Sequence, residues 1–309
     1  MSAISAEVFE SDRRLLWGLC YRMTGNAADA DDLVQETFVR AIEKPPRRTD
    51  EPVRPWLIRV AINLSRDCLR RRRRRGYVGP WLPSPIPTGD LEQPASYEPP
   101  APSEDSPMAR YDLLESVTFA FLLALEALTP SQRAILLLRD VLDYSTREAA
   151  EALGLTEANA KVLLHRARQK MQDYDKSRIN RDAAEREATR KALEQFLYFL
   201  STRNVEGLER LLAEEVISIS DGGGEVYAAL KPIYGREKVM RLILGLSEKI
   251  GPASAVAFRM LNGLPAIVSE QRHAPPGSAT RFVLSCRTDA AGHITRLDAV
   301  VAPSKLTAV

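Results

Sequence analysis

The most constraining feature of this chain is a change of hydrophobic period near Val216. Before it, apolar residues recur three and four apart, the spacing that lays one stripe along a helix. From "VISISD" onward, short runs rich in Val, Ile and Phe take over, which is the pattern of strands. Helices first and strands afterwards rule out an alternating βαβ array and predict helical domains followed by a compact α+β domain with an antiparallel sheet. At 309 residues and 45% apolar, the chain has length for two or three such bodies.

The front half divides further. Leu16, Leu19, Cys20 and Met23 make one helical stripe, stopped at Gly25-Asn26. "AADADDLVQETFVRAIEK" then opens with acidic residues in its first turn, where they face the positive end of a helix, and continues with Val34 and Phe38. Prolines at 45, 46, 52 and 55 predict a loop over residues 44–55. In "WLIRVAINLSRDCLRRRRRR", Leu57, Ala61, Leu64 and Cys68 share one face while Arg59, Asn63, Arg66 and Arg70 share another. This helix runs into six consecutive arginines, Arg70 to Arg75. Alone, such a run is a solvated tail; on a basic stripe, with Trp56 and a loop at its start, it suits a single strand whose unpaired bases stack.

Charge is distributed unevenly about a net of only +2. Residues 1–80 carry sixteen basic against eleven acidic residues, whereas residues 81–112 carry one against six. The proline-rich stretch "GYVGPWLPSPIPTGDLEQPASYEPPAPSEDSP" therefore reads as an acidic linker. Beyond it, Leu114, Val117, Phe121, Leu125 and Leu128 predict one long helix, and Thr129-Pro130 the cap of another.

"STREAAEALGLTEANAKVLLHRARQKM" has the outline of a helix-turn-helix. Ala149, Ala150 and Leu153 face inward, Gly154 makes the corner, and Thr156 caps a second helix with core residues Ala160, Leu163, Leu164, Ala167 and Met171. Asn159, Lys161, Val162, His165, Arg166 and Arg168 remain on exposed or flanking positions, able to meet phosphates and base edges. An ordinary helical hairpin with a charged face shares this outline.

In the tail, Leu193, Phe196, Leu197 and Leu200 mark a helix, and five β-rich runs follow. Asn262-Gly263 and Ala291-Gly292 stand where hairpin turns belong. Gly222 to Gly224 is not a phosphate loop, since no Lys-Ser/Thr follows; it reads as a turn, or as a place where another backbone comes close. His273 and His293 sit in loop positions ill suited to a buried acid–base pair, and Asp221, Asp289 and Asp298 have no base at a fixed spacing. Cys20, Cys68 and Cys286 show no metal-ligand spacing, so no metal or cofactor is expected and the thiols read as reduced. Neither a secretory signal nor a run of about 18 apolar residues is visible, which points to the cytoplasm with no membrane partner.

The stretches "GNAADADDLVQETFVRAIEK", "PWLIRVAINLSRDCLRRRRRR" and "LEALTPSQRAILLLRDVLDYSTREAAEALGLTEANAKVLLHRARQKM" resemble regions 2 and 4 of extracytoplasmic-function sigma factors of bacterial RNA polymerase. "WLPSP", "DGGGE" and "APSKL" resemble the signatures of members carrying a fused C-terminal SnoaL-like, NTF2-like cone. The resemblance implies a multidomain chain of two all-α sigma domains plus an α+β cone, divided as 1–78 (region 2), 79–108 (linker), 109–178 (region 4) and 182–309 (regulatory domain). It implies bacterial core RNA polymerase, through its beta-prime clamp and beta flap, and promoter DNA as partners, with a small-molecule or protein effector for the cone. Asp29, Asp32, Gln35, Glu36 and Arg40 would dock on polymerase. Trp56, Arg59, Asn63, Arg66, Arg70, Arg71, Arg72 and Arg73 would hold the minus 10 element, and Thr156, Asn159, Lys161, Val162, His165, Arg166 and Arg168 the minus 35 element. Trp81, Leu82, Pro83, Asp221, Gly222, Gly223 and Gly224 would serve interdomain regulation. A ligand-responsive helix-turn-helix repressor leaves the arginine-rich helix and acidic linker without a purpose. A cyclase or isomerase in the tail lacks a recognisable dyad.

Overall fold

A computed structural model describes residues 6–44, 53–88, 110–176 and 183–309. Most of the loop expected at 44–55, and the acidic part of the expected linker, lie outside the described residues. Two compact units result, one from Met1–Gly76 with Asp90–Arg178, the other from Tyr77–Gly89 with Ile179–Val309. The stretch expected as a linker is thus divided, and its first residues belong with the C-terminal body.

The first unit opens with α1 (Ala6–Thr24) and α2 (Ala27–Glu43). Between them Gly25 has φ +66°, and Asn26 caps α2 by accepting from the amides of Ala28 and Asp29. Helix α3 (Val53–Arg75) begins earlier than expected. Pro55 falls in its first turn, where an amide would have no helical partner anyway. Leu16, Leu19, Met23, Val34, Phe38, Leu57, Ala61 and Leu64 form the buried core of this trio, as their spacing predicts.

The long helix expected through Leu114 to Leu128 is broken. A 3-10 turn at Glu115–Val117 ends at Thr118, whose extended backbone and side-chain oxygen, accepting from the amide of Phe121, start α4 (Phe119–Leu125) afresh. The cause is local: a threonine that caps competes with one that continues a helix. Helix α5 (Pro130–Leu136) starts in a capping box of Thr129 with Gln132 and widens into a π-helical turn at Leu137–Val141. Helices α6 (Thr146–Leu153) and α7 (Glu157–Lys176) meet at left-handed Gly154, φ +65°. Helix α3 packs on α5 and α6, and α1 on α5.

The second unit carries α8 (Ala183–Ser201), α9 (Val205–Leu211), β1 (Leu212–Asp221), β2 (Ile233–Tyr234), α10 (Arg236–Ile250), β3 (Ala255–Leu261), β4 (Leu264–Glu270), β5 (Arg281–Thr288) and β6 (Ile294–Val300). The sheet order is β2-β1-β6-β5-β4-β3. The expected antiparallel sheet is corrected to a mixed one, because β1 and β6 run parallel. The chain reaches β6 only after passing through α10 and four strands, so no hairpin dictates its direction. Leu193, Phe196, Leu208, Leu211 and Val239 from the helices pack on Ile267, Cys286 and Leu297 from one sheet face. Asn262 and Gly263 both have positive φ, +50° and +74°, as a tight hairpin turn requires. Among the described residues no helix is long and apolar enough to cross a membrane.

Candidate nucleic-acid interface and linker clasp

On α2, Asp32, Gln35, Glu36 and Arg40 are exposed, while Asp29 is half-buried in the first turn. Arg40 and Glu36 pair at 2.9 Å, one helical turn apart. Val39 and Ile42 lie exposed beside them, 46% and 76% accessible. Both fall outside the stripe of Val34 and Phe38, and apolar side chains left in water beside carboxylates are what a protein-docking face presents.

On α3, Arg59, Asn63, Arg70 and Arg71 point to solvent and Trp56 is half-buried at the start. Arg66 donates to Asn63 at 3.2 Å, and Arg70 to Asp67 at 3.0 Å. Three arginines of this helix, Arg66, Arg72 and Arg73, are committed elsewhere in the first unit, while Arg74 and Arg75 are exposed. Arg66 reaches Ser131 at 3.1 Å, Arg72 reaches Glu126, and Arg73 reaches the Leu128 carbonyl at 2.8 Å. The predicted basic stripe exists, but only its outer half is free for a new partner.

In the helix-turn-helix, Ser145 and Glu148 form a capping box on α6, and Thr156 accepts from the amide of Asn159 at the start of α7. Thr156 is thereby also a cap, with its hydroxyl already engaged. Asn159, Lys161, Val162, His165 and Arg166 are exposed along the helix. Arg168 departs from expectation. Its guanidinium grips the buried carboxylate of Asp140 through two bonds, 2.9 and 2.6 Å, so it braces α7 on the preceding π-helical turn. Sequence spacing placed it at the edge of the exposed face, and only the location of Asp140 reveals its role.

Within the second unit, three stretches distant in sequence meet at Asp221, the last residue of β1. Its carboxylate is fully buried and accepts from the Tyr77 hydroxyl at 2.6 Å, the Leu82 amide at 2.7 Å, the Gly223 amide at 3.0 Å and Lys305 Nζ at 2.6 Å. Lys305, only 2% exposed, also donates to the Leu82 carbonyl, and its ammonium lies 4.8 Å from the Tyr77 ring centre and 4.5 Å from that of Trp81. A buried ion pair is tolerable only when its remaining lone pairs and protons are satisfied, and here both ends are. "APSKL" was recognised as a signature, but Lys305, together with Tyr77, was not singled out; alternation cannot show that a lysine two residues past a proline is buried.

The glycines of "DGGG" serve the same meeting. A turn forms, with the Glu225 amide donating to the Gly222 carbonyl. A Cβ on Gly223 would lie 3.3 Å from the Tyr77 hydroxyl, and one on Gly224 would lie 3.2 Å from Val78. Both residues have positive φ, +59° and +78°. Turn and close backbone approach coexist, and the approaching backbone is the segment after α3. Leu82 and Pro83 are buried in this clasp and Trp81 half-buried. Farther along, Ile86 donates its amide to Asn262 Oδ1 at 3.1 Å and accepts from the Asn262 amide at 3.0 Å. Pro87 forms an antiparallel bridge with Leu261, and Thr88 donates to the Met260 carbonyl. Residues 77–88 are thus stitched to the C-terminal fold at both ends.

Of the tail's candidate acid–base groups, Asp221 alone takes part in these clasp bonds. His293 pairs with Asp289 at 3.1 Å on an exposed turn. Asp298 is buried; burial raises its carboxyl above the ordinary value, opposed by Arg296, which donates to both its oxygens at 2.8 Å. Burial likewise pushes the thiols of Cys20 and Cys286 up to about 12, consistent with unreactive core residues.

Residues 8–75 match the family model for Sigma-70 region 2, and residues 118–171 the model for Sigma-70, region 4. The chain is 33% identical over 259 residues to the ECF RNA polymerase sigma factor SigJ of Mycobacterium tuberculosis, covering 82% of this chain and 78% of that one. It is 36% identical over 217 residues to the ECF RNA polymerase sigma factor SigG of the same organism, covering 67% of this chain and 59% of the relative. The crystal structure of the Mycobacterium tuberculosis extracytoplasmic function sigma factor SigJ aligns with a TM-score of 0.67 at 27% identity, over 98% of this chain and 99% of that one. That likeness includes the C-terminal α+β domain, which the two sigma models leave uncovered.

Proposed function

Because the chain belongs to the extracytoplasmic-function RNA polymerase sigma factors, which bind core polymerase and direct it to promoters, we propose that its C-terminal domain controls this activity in cis by holding the segment after region 2. The observation that carries the proposal is the convergence of Tyr77, Leu82 and Lys305 on the buried Asp221 carboxylate. In such sigma factors the linker resembles the element threaded through polymerase near the RNA exit path. A linker clasped by its own C-terminal domain has to leave the clasp before it can be threaded, so clasp strength sets how readily holoenzyme forms. An effector of the domain would act by its difference in affinity for the clasped and released states.

The other roles follow from the exposed faces. The α2 face with Asp32, Gln35, Glu36, Val39 and Ile42 docks on the polymerase clamp. Helix α3 holds the opened minus 10 element, and Asn159, Lys161, Val162, His165 and Arg166 of α7 meet the minus 35 element. Transcription in vitro with bacterial core polymerase, comparing the full chain with one ending at Lys176, tests the scheme. A promoter-dependent transcript that differs in level between the two supports control in cis. Equal levels refute it, and no transcript from any promoter refutes the sigma reading with it.

A further inference from the structure

Helix α3 carries the cations that would meet opened DNA, yet in the first unit several already have partners that imitate nucleic acid. Arg72 Nη2 donates to both oxygens of Glu126 at 2.8 Å, while its Nη1 donates to the Thr24 carbonyl at 2.9 Å. Arg133 donates to the same carboxylate at 2.6 Å and to the carbonyls of Met23 and Leu125, each at 2.7 Å. Arg73 takes the Leu128 carbonyl and Arg66 the Ser131 hydroxyl. These carbonyls lie at the C-terminal ends of α1 and α4, where helices leave backbone acceptors unused and favour cations.

One carboxylate therefore sits at the junction of α3, α4 and α5 with two guanidinium groups on it. Burial alone would raise the Glu126 carboxyl, but Arg133 and Arg72 outweigh it and hold the group below its ordinary value. The contact is also accessible: the side chains of Glu126 and Arg72 are 29% and 19% exposed, while that of Arg133 is 3% exposed. Arg133 is the fixed floor of the site and Arg72 the exchangeable arm. With Nη2 on both carboxylate oxygens and Nη1 on a carbonyl, the Arg72 guanidinium already spends its charge on an anion.

We infer that Glu126 is an internal substitute for a nucleic-acid phosphate, latching the region 4 helices onto α3 until a DNA strand takes Arg72 from it. This rests on the reading of α3 as the DNA-holding helix. Opening then accompanies strand capture, because a phosphate brought to Arg72 meets the like charge of the Glu126 carboxylate. Glu126→Gln keeps the size and removes the charge; Glu126→Ala removes both.

The test uses the full chain with Cys68→Ser and spin labels at Glu43→Cys on α2 and Glu151→Cys on α6, both solvent-exposed sites. Electron–electron resonance distances should show one compact population, shifting to longer distances in Glu126→Gln and Glu126→Ala. Added oligo(dT) should shift the unsubstituted chain the same way. Glu126→Gln should bind oligo(dT) about tenfold more tightly at low salt, the scale of one charge-assisted contact released. Unchanged distances in both variants overturn the latch, whatever the DNA result. Longer distances with no gain in oligo(dT) affinity overturn phosphate mimicry and the DNA reading of α3 together.

Discussion

Two ionic centres, Asp221 with Lys305 and Glu126 with Arg72, look alike on paper and differ in burial. Asp221 and Lys305 are both shut away from water, roofed by Trp81 and Tyr77, with every polar atom of the carboxylate in use. Glu126 with Arg72 keeps a solvent-facing side. The difference teaches where a charge pair acts as a fixture and where it acts as a switch. Removing one partner of a buried pair leaves an uncompensated charge, whereas an accessible pair exchanges partners at small cost.

The sharpest break of this comparison is Asp221→Ala. It strands Lys305 in a dry site and should cost the second domain about 3–5 kcal/mol, read as a lower urea midpoint. Combining Asp221→Asn with Lys305→Met should cost less than the two single changes added together, by about 2 kcal/mol. Full additivity in that cycle would mean the two groups do not interact.

The first unit offers its own check. Arg168 is partly exposed, but its partner Asp140 is shut away from water and would be left uncompensated, so Arg168→Gln should lower the stability of the helix-turn-helix by about 1.5–3 kcal/mol. A change confined to minus 35 affinity, with thermal stability intact, would return Arg168 to the DNA face. Gly224→Ala, at φ +78° and 3.2 Å from Val78, should loosen the clasp by about 1–2 kcal/mol. Gly235→Ala, at φ +90° with open space around it, should cost less, since only backbone strain is involved.

The smallest effect concerns acid. In the closed form the Glu126 carboxyl lies below its ordinary value of 4.5, so a proton binds the open form more readily. Support for the latch is complete above the ordinary value and lost as pH falls through the lowered one. The compact population seen by the spin labels should therefore shrink in acid for the unsubstituted chain and stay constant in Glu126→Gln.

The helical front was legible because each stripe, such as Leu57, Ala61 and Leu64, obeys one period. The helix expected across Leu114 to Leu128 failed because the apolar spacing survives a break at Thr118 that only a capping oxygen reveals. Helix α10 went unassigned: "REKVMRLILGLSEKI" lies between β-rich runs, and only Val239 of it is fully buried. The parallel pairing of β1 with β6 depends on a long crossover that no local signal encodes. At the sites, exposed cations on α7 could be read from spacing, but Arg72, Arg168 and Lys305 could not. Their partners, Glu126, Asp140 and Asp221, lie 28 to 84 residues away.

The most direct test of the account is a reversible lock on the clasp. Pro87 and Leu261 face each other across an antiparallel bridge, a spacing that admits a disulfide between Pro87→Cys and Leu261→Cys. Promoter-dependent transcription with core polymerase should be lost in the oxidised chain and return on reduction, because the held segment cannot leave the C-terminal domain. Equal transcription from the oxidised and reduced forms would contradict the claim that this segment must be released for the protein to work.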